Sequence, residues 1–204
     1  MRRALYYALR RLESHLKVYV VWIAGSELCP HPDPQKLPDG LSLTLLHEYP
    51  DVDGLLSASE GLSRSFVDSA FERGDVAAGI KAADGTIVAY VWRTFTRAAH
   101  QTGVWVRVRP PTVYGYKAFT HPNYRGQRLS AAITQELDRI CLERSAEMRL
   151  ALIPLYNEAS IKAEYHRGSR AVGYAAFFDW GRYRFALHAP AVKRAGLELF
   201  WPAD

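Results

Sequence analysis

The run Arg125-Gly126-Gln127-Arg128 stands where a strand-like stretch, residues 113–120, gives way to a long amphipathic stretch that begins near Ser130. Two guanidinium groups, a glycine and a small hydroxyl residue at a helix start suit one chemistry, the binding of an anion. The first N–H groups of a helix have no partner within it and point along its axis. A glycine lets a ligand approach the backbone closely, and arginines add charge-assisted bonds to phosphate oxygens. The four residues alone also allow the plainer reading of a solvated loop. A second basic pair, Arg107 and Arg109, alternates with valines after Trp105, so both fall on one face of an extended stretch. There they suit an acceptor carboxylate or phosphate, or simply water. Tyr114 and Tyr116, Glu48, His100 and His121 are the side chains placed to take a proton. Cys29 and Cys141 lie far apart with no CxxC spacing, which gives neither a zinc site nor a disulfide framework, and no metal is expected.

Elements must hold these groups in place. At 204 residues, 49% hydrophobic and 23% charged, the chain is globular and long enough for a sizeable core. Its net charge of +5 suits an anionic ligand, but no dense basic block of the nucleic-acid kind is present. Residues 41–46, the two arms around Asp84-Gly85, residues 113–120 and residues 149–155 read as strands. Residues 51–75, 130–147 and 157–167 read as helices, and a hairpin turns at 179–181. That order gives an α/β mixed sheet, mostly antiparallel, with one central parallel crossover. Four prolines between Cys29 and Gly40 mark a linker. The expected organisation is an N-terminal helix, strand and linker over 1–40, a main domain over 41–188 and a C-terminal tail over 189–204. Leu5, Leu9, Leu12 and Leu16 share a helix face flanked by arginines. This helix either docks on the domain or in a homodimer, or meets a membrane surface or acidic partner through residues 1–24. Arginines interrupt any signal-peptide core, and the apolar run after Lys17 is too short to span a bilayer, so a cytoplasmic chain is expected.

Two segments together resemble the GNAT N-acyltransferase superfamily. The first, THPNYRGQRLSAAI, is similar to its acyl-CoA pyrophosphate loop: Pro122, Arg125, Gly126 and Leu129 match, while Arg128 replaces a glycine and Ser130 a small residue. The second, residues 157–173, is similar to a later motif through Asn157, Ser160, Ile161, Gly168, Val172 and Gly173. The resemblance covers about residues 41–188 and implies an enzyme that passes an acetyl or other acyl group from acyl-CoA to an amine. It implies that Phe119 and Thr120 pair with the pantetheine arm, that Arg125, Gly126, Gln127, Arg128, Leu129 and Ser130 wrap the pyrophosphate, and that Asn157 bonds the arm. The family's general-acid tyrosine aligns with Glu164 rather than Tyr165, so both are candidates, and a thiolate can also depart unaided. Three functions follow: acetyl transfer to a small amine, transfer of a longer chain from acyl-CoA or acyl carrier protein, and acyl-CoA or partner binding without catalysis.

Overall fold

The computed structural model describes residues 2–30, 33, 35–46, 62–100 and 103–202. Glu48 and most of the expected helical stretch after Asp51 lie outside the described residues. Two compact units form. The first comprises Met1–Glu27, Arg97–Tyr114 and Met148–Asp204; the second comprises Leu28–Thr96 and Gly115–Glu147.

In the second unit, strands β2 (Leu41–Leu46), β3 (Val76–Ala82) and β4 (Ile87–Thr94) form an antiparallel meander, with β4 next to β7 (Thr112–Thr120). The β3–β4 turn forms as the Asp84-Gly85 pair predicts. Gly85 adopts φ 87, and Asp84 Oδ1 accepts the N–H of Thr86 at 2.9 Å. Helix α2 (Arg64–Glu72) starts at Ser63, whose hydroxyl accepts the Phe66 N–H. Helix α3 (Leu129–Glu143) lays Leu129, Ile133 and Leu137 on Ala78, Ile80, Val88, Ala89 and Val91. Each of these large side chains, fully buried, contributes roughly 1.5–3 kcal/mol. The sequence extends this helix to Glu147, but it stops at Glu143. Ser145 turns left-handed at φ 61, Ala146 N–H returns to Cys141 O and Ser145 N–H to Leu142 O, which satisfies the last carbonyls.

In the first unit, β10 (Tyr183–His188), β9 (Arg170–Trp180), β1 (Val18–Glu27) and β8 (Met148–Pro154) lie side by side in that order, with β8 bonded to the start of β7. The sheet strands are antiparallel apart from one parallel pair, as the mixed α/β expectation requires. Helix α1 (Arg2–Leu16) precedes β1, and α4 (Glu158–His166) joins β8 to β9. Trp22, Ala24, Ala151 and Ile153 form a core with Ile161 of α4. Two parts of the expected organisation change here. β1 is not part of an appendage, because it pairs with β8 on one side and β9 on the other. Residues 189–204 are no tail either: α5 (Pro190–Arg194) and β11 (Leu197–Phe200) are ordered elements. β11 pairs with β6 (Trp105–Val108), which pairs with β5 (Arg97–Ala99). Position 25 must be small for this packing, since a Cβ on Gly25 would stand 2.5 Å from Val172 Cγ2. No described helix is long and apolar enough to cross a membrane.

Candidate functional site

The basic loop is built from β7 onward. Phe119 stacks on Tyr90 of β4 at 5.4 Å, and His121 N–H donates to Val88 O at 2.8 Å, so the strand end is held firmly. Pro122–Tyr124 form one 3-10 turn, in which the Asn123 N–H donates to the His121 ring, and Tyr124 packs against the core beneath α3. Arg125 Nε donates to Thr120 O at 3.2 Å, which ties the loop back to the strand. Gly126 then adopts φ 81 and Arg128 φ 57, two left-handed residues separated by Gln127, and α3 begins at Leu129 with no side-chain cap. Among the described residues, the N–H groups of Gly126, Gln127, Arg128 and Leu129 find no partner within the chain. Such a nest of backbone donors at the positive end of a helix binds an anion. The space where a Gly126 Cβ would stand is open. Leu129, only 2% exposed, anchors the helix start to the core, and Ser130 follows it in the first turn. Every residue from Phe119 to Ser130 that the sequence assigns to a cofactor therefore lies on one continuous strand, loop and helix.

One feature of this strand escapes the sequence. Lys117 takes φ 48 in the interior of β7. A left-handed lysine within a strand marks an irregularity that bends it and disturbs its ladder, and such local departures gather at functional sites. Neither Gly115 nor any turn residue near it signals the bend. Close by, Tyr116 donates its hydroxyl hydrogen bond to Asp75, and its ring meets Phe66 of α2. Burial pushes the Asp75 carboxyl up, partly offset by hydrogen bonds from Thr94, Tyr116 and Arg73 and by the charge of Arg73. Tyr116 and Tyr114 are pushed far above the usual phenol range, chiefly by burial. Both therefore stay protonated near neutral pH, which removes them as general bases. His100 is bonded to the Tyr114 hydroxyl at 2.8 Å.

The remaining candidates belong to the first unit. Asn157 caps α4: its Oδ1 accepts the Ser160 N–H at 3.2 Å. Its amide group keeps donors for a ligand, but the side chain also has a structural duty. Asn157→Ala should therefore destabilise the protein by about 1 kcal/mol through the lost cap. A melting curve without ligand checks this, and an unchanged midpoint would show the cap to be unimportant.

Glu164 lies in a buried ion-paired cluster that favours its charged form. It is 5% exposed and accepts hydrogen bonds from Arg149 Nη2 at 2.8 Å, from Ser169 Oγ at 2.6 Å and from Arg167. Burial alone would raise its carboxyl, but the charge and hydrogen bonds of Arg149, with Arg167 and Ser169, outweigh it and hold the group at about 2. At neutral pH it has no proton to give. Tyr165, by contrast, is 56% exposed and stacks on Trp22 at 4.9 Å. Arg107 is engaged by Glu198 at 3.1 Å and lies over the Phe200 ring, 4.4 Å from its centroid. Arg109 lies just past the end of β6, exposed, with its backbone tied to Gly196 and Thr112. The alternation places Arg107 on a paired surface and does not extend through Arg109.

No family model matches the chain, and no characterised protein matches it in sequence. Solved structures do match. A tandem GNAT protein from the clavulanic acid biosynthesis pathway superposes with a TM-score of 0.56 at 14% identity, covering 87% of this chain and 55% of that one. A GCN5-related N-acetyltransferase from Sphaerobacter thermophilus gives 0.55 at 16% identity, covering 97% and 57%. A GNAT-family protein from Novosphingobium aromaticivorans gives 0.53 at 16% identity, covering 91% and 66%. The chain thus spans little more than half the length of the first two. At these identities the likeness speaks for the fold. The chain has the GNAT-type acyl-CoA N-acyltransferase fold.

Proposed function

We propose that this protein is an acyl-CoA-dependent N-acyltransferase that passes an acetyl group, or another short acyl group, to a primary amine of a small molecule. The observation that carries this reading is the nest of unpaired N–H groups from Gly126 to Leu129 at the start of α3, flanked by Arg125 and Arg128. Those donors fit a pyrophosphate, and the guanidinium groups add charge-assisted bonds to it. The end of β7, with Phe119 and Thr120, offers backbone groups to the pantetheine arm. Acyl-CoA supplies an activated carbonyl with a thiolate leaving group. An amine attacks that carbonyl, its lone pair forms the C–N bond, the C–S bond breaks, and the amine's extra proton leaves. This chain's part is to bind and orient. With Glu164 ion-paired to Arg149 and Arg167, its neighbour Tyr165 is the candidate that gives a proton to the thiolate.

The ion pairing of Glu164 at the aligned position favours one second reading, an acyl-CoA-binding module without turnover. Thermal unfolding with CoA, acetyl-CoA and a medium-chain acyl-CoA tests the shared premise. At 100 times its dissociation constant a ligand adds about 2.7 kcal/mol, which for a chain of this size raises the midpoint by about 5–10 °C. A shift of that size with every CoA species is the expected result, and its ranking by chain length separates acetyl from longer acyl donors. No shift with any of them removes the cofactor assignment and leaves acyl carrier protein as the donor to examine. Binding without turnover across a panel of amines selects the second reading.

A further inference from the structure

Among the described residues, one face of the β9–β10 hairpin is left uncovered. Trp180 stands opposite Tyr183, Phe178 opposite Phe185 and Ala176 opposite Leu187, and directly opposed residues share a side of the sheet. Tyr174 follows on that side by the two-residue period. The rings pack on one another: Phe178 and Phe185 stack at 4.4 Å, and Trp180 meets both edge-on. Yet Tyr174, Trp180, Tyr183, Phe185 and Leu187 are each between 42% and 59% exposed. The other side of the hairpin is core, with Ala175 and Phe177 buried and Tyr19 stacked on Phe177. At ~200 Å² per aromatic side chain, the bare patch measures on the order of 500 Å², near the upper end of what a monomer exposes.

The rim of this patch is cationic. Arg182 is exposed at the hairpin tip and lies over Tyr183, while Arg184 and Asp179 pair on the other side of the hairpin. Lys17 is exposed beside them, its carbonyl accepting the Asp179 N–H. Trp180 Nε1 donates to Leu16 O, so the C-terminal end of α1 adjoins the patch. That helix carries four arginines against one glutamate, and its Tyr7 and Leu16 are exposed.

We infer that the β9–β10 face and the end of α1 form a docking surface for an anionic lipid bilayer. Phe185 and Leu187 suit the acyl boundary, Trp180, Tyr174 and Tyr183 suit the headgroup level, and Lys17 and Arg182 meet lipid phosphates. A second copy of the chain fits the apolar area less well, because each copy brings a net charge of +5 and the same cationic rim.

The full chain is sedimented with vesicles of phosphatidylcholine containing phosphatidylglycerol, and with vesicles of phosphatidylcholine alone. Binding to the anionic vesicles, reduced severalfold by added salt and at least tenfold weaker on neutral vesicles, is the expected result. Each rim cation near the surface is worth about fivefold. Lys17→Glu with Arg182→Glu should therefore weaken binding by more than tenfold. Tyr183→Ser with Leu187→Ser removes exposed side chains only, so circular dichroism should stay native while binding falls at least tenfold. Equal binding by either variant, or none by the native chain, overturns the proposal. So does a dimer in solution that the Tyr183→Ser, Leu187→Ser variant dissociates, because a second copy then covers the face.

Discussion

Glu164→Gln should lower the melting midpoint by about 10 °C while changing turnover per folded molecule by less than tenfold. Glutamine keeps the shape and removes the charge. Arg149, nearly buried and bonded also to Ser26 and Ser169, then keeps a cation with no counter-charge at its side. Removing one partner of such a pair costs about 3–5 kcal/mol, because the other is left desolvated. At this chain length that corresponds to roughly 2–4 °C for each kcal/mol. The pH dependence gives an independent check. The folded carboxyl titrates at about 2 against an ordinary value of 4.5, so the unfolded chain takes up its proton first as the pH falls. The stabilisation is fully present above pH 4.5 and is lost on the way down through about 2. Its size at neutral pH is about 3 kcal/mol. Glu164→Gln should flatten that part of the acid unfolding profile. Loss of turnover with an unchanged midpoint would return Glu164 to catalysis.

Gly126→Val should lower CoA affinity at least tenfold while costing the free protein only the local backbone strain, about 1–3 kcal/mol. Valine is poorly tolerated at φ 81, and β-branching makes it worse, so the loop must change its backbone to accept it. The space around a Cβ is open, so the core does not register the change. What moves is the orientation of the N–H groups from Gly126 to Leu129. Titration calorimetry with CoA measures the loss, and a melting curve without ligand measures the cost of folding. Unchanged affinity would show that the nest does not hold the pyrophosphate, whatever the fold.

Much of this could be read from local chemistry. The strand-to-helix passage at Arg125-Gly126, the Asp84-Gly85 hairpin and the Asn157 helix start each depend on residues near one another in the chain. A cap or a glycine turn is settled within a few positions, so the sequence carries it openly. The four-residue spacing of Leu129, Ile133 and Leu137 likewise foretells the buried face of α3. Its stop at Glu143 was harder to see, because serine rather than glycine takes the left-handed position at Ser145.

Other features rest on long-range partners. Val18–Glu27 looks like the end of a detachable segment until β8 and β9 close on either side of it, since a strand does not announce its neighbours. The C-terminal β11 acquires its role only from β6. Glu164 and Arg107 are ordinary charged residues in the sequence, and their partners Arg149 and Glu198 are supplied by folding. The strand–loop–helix passage at Arg125-Gly126 and the class of sheet were legible in the chain alone, because both follow from backbone propensity and hydrophobic period. Only the tertiary structure decided which charges are free to do chemistry, because burial and pairing set protonation, and both depend on what the fold places alongside.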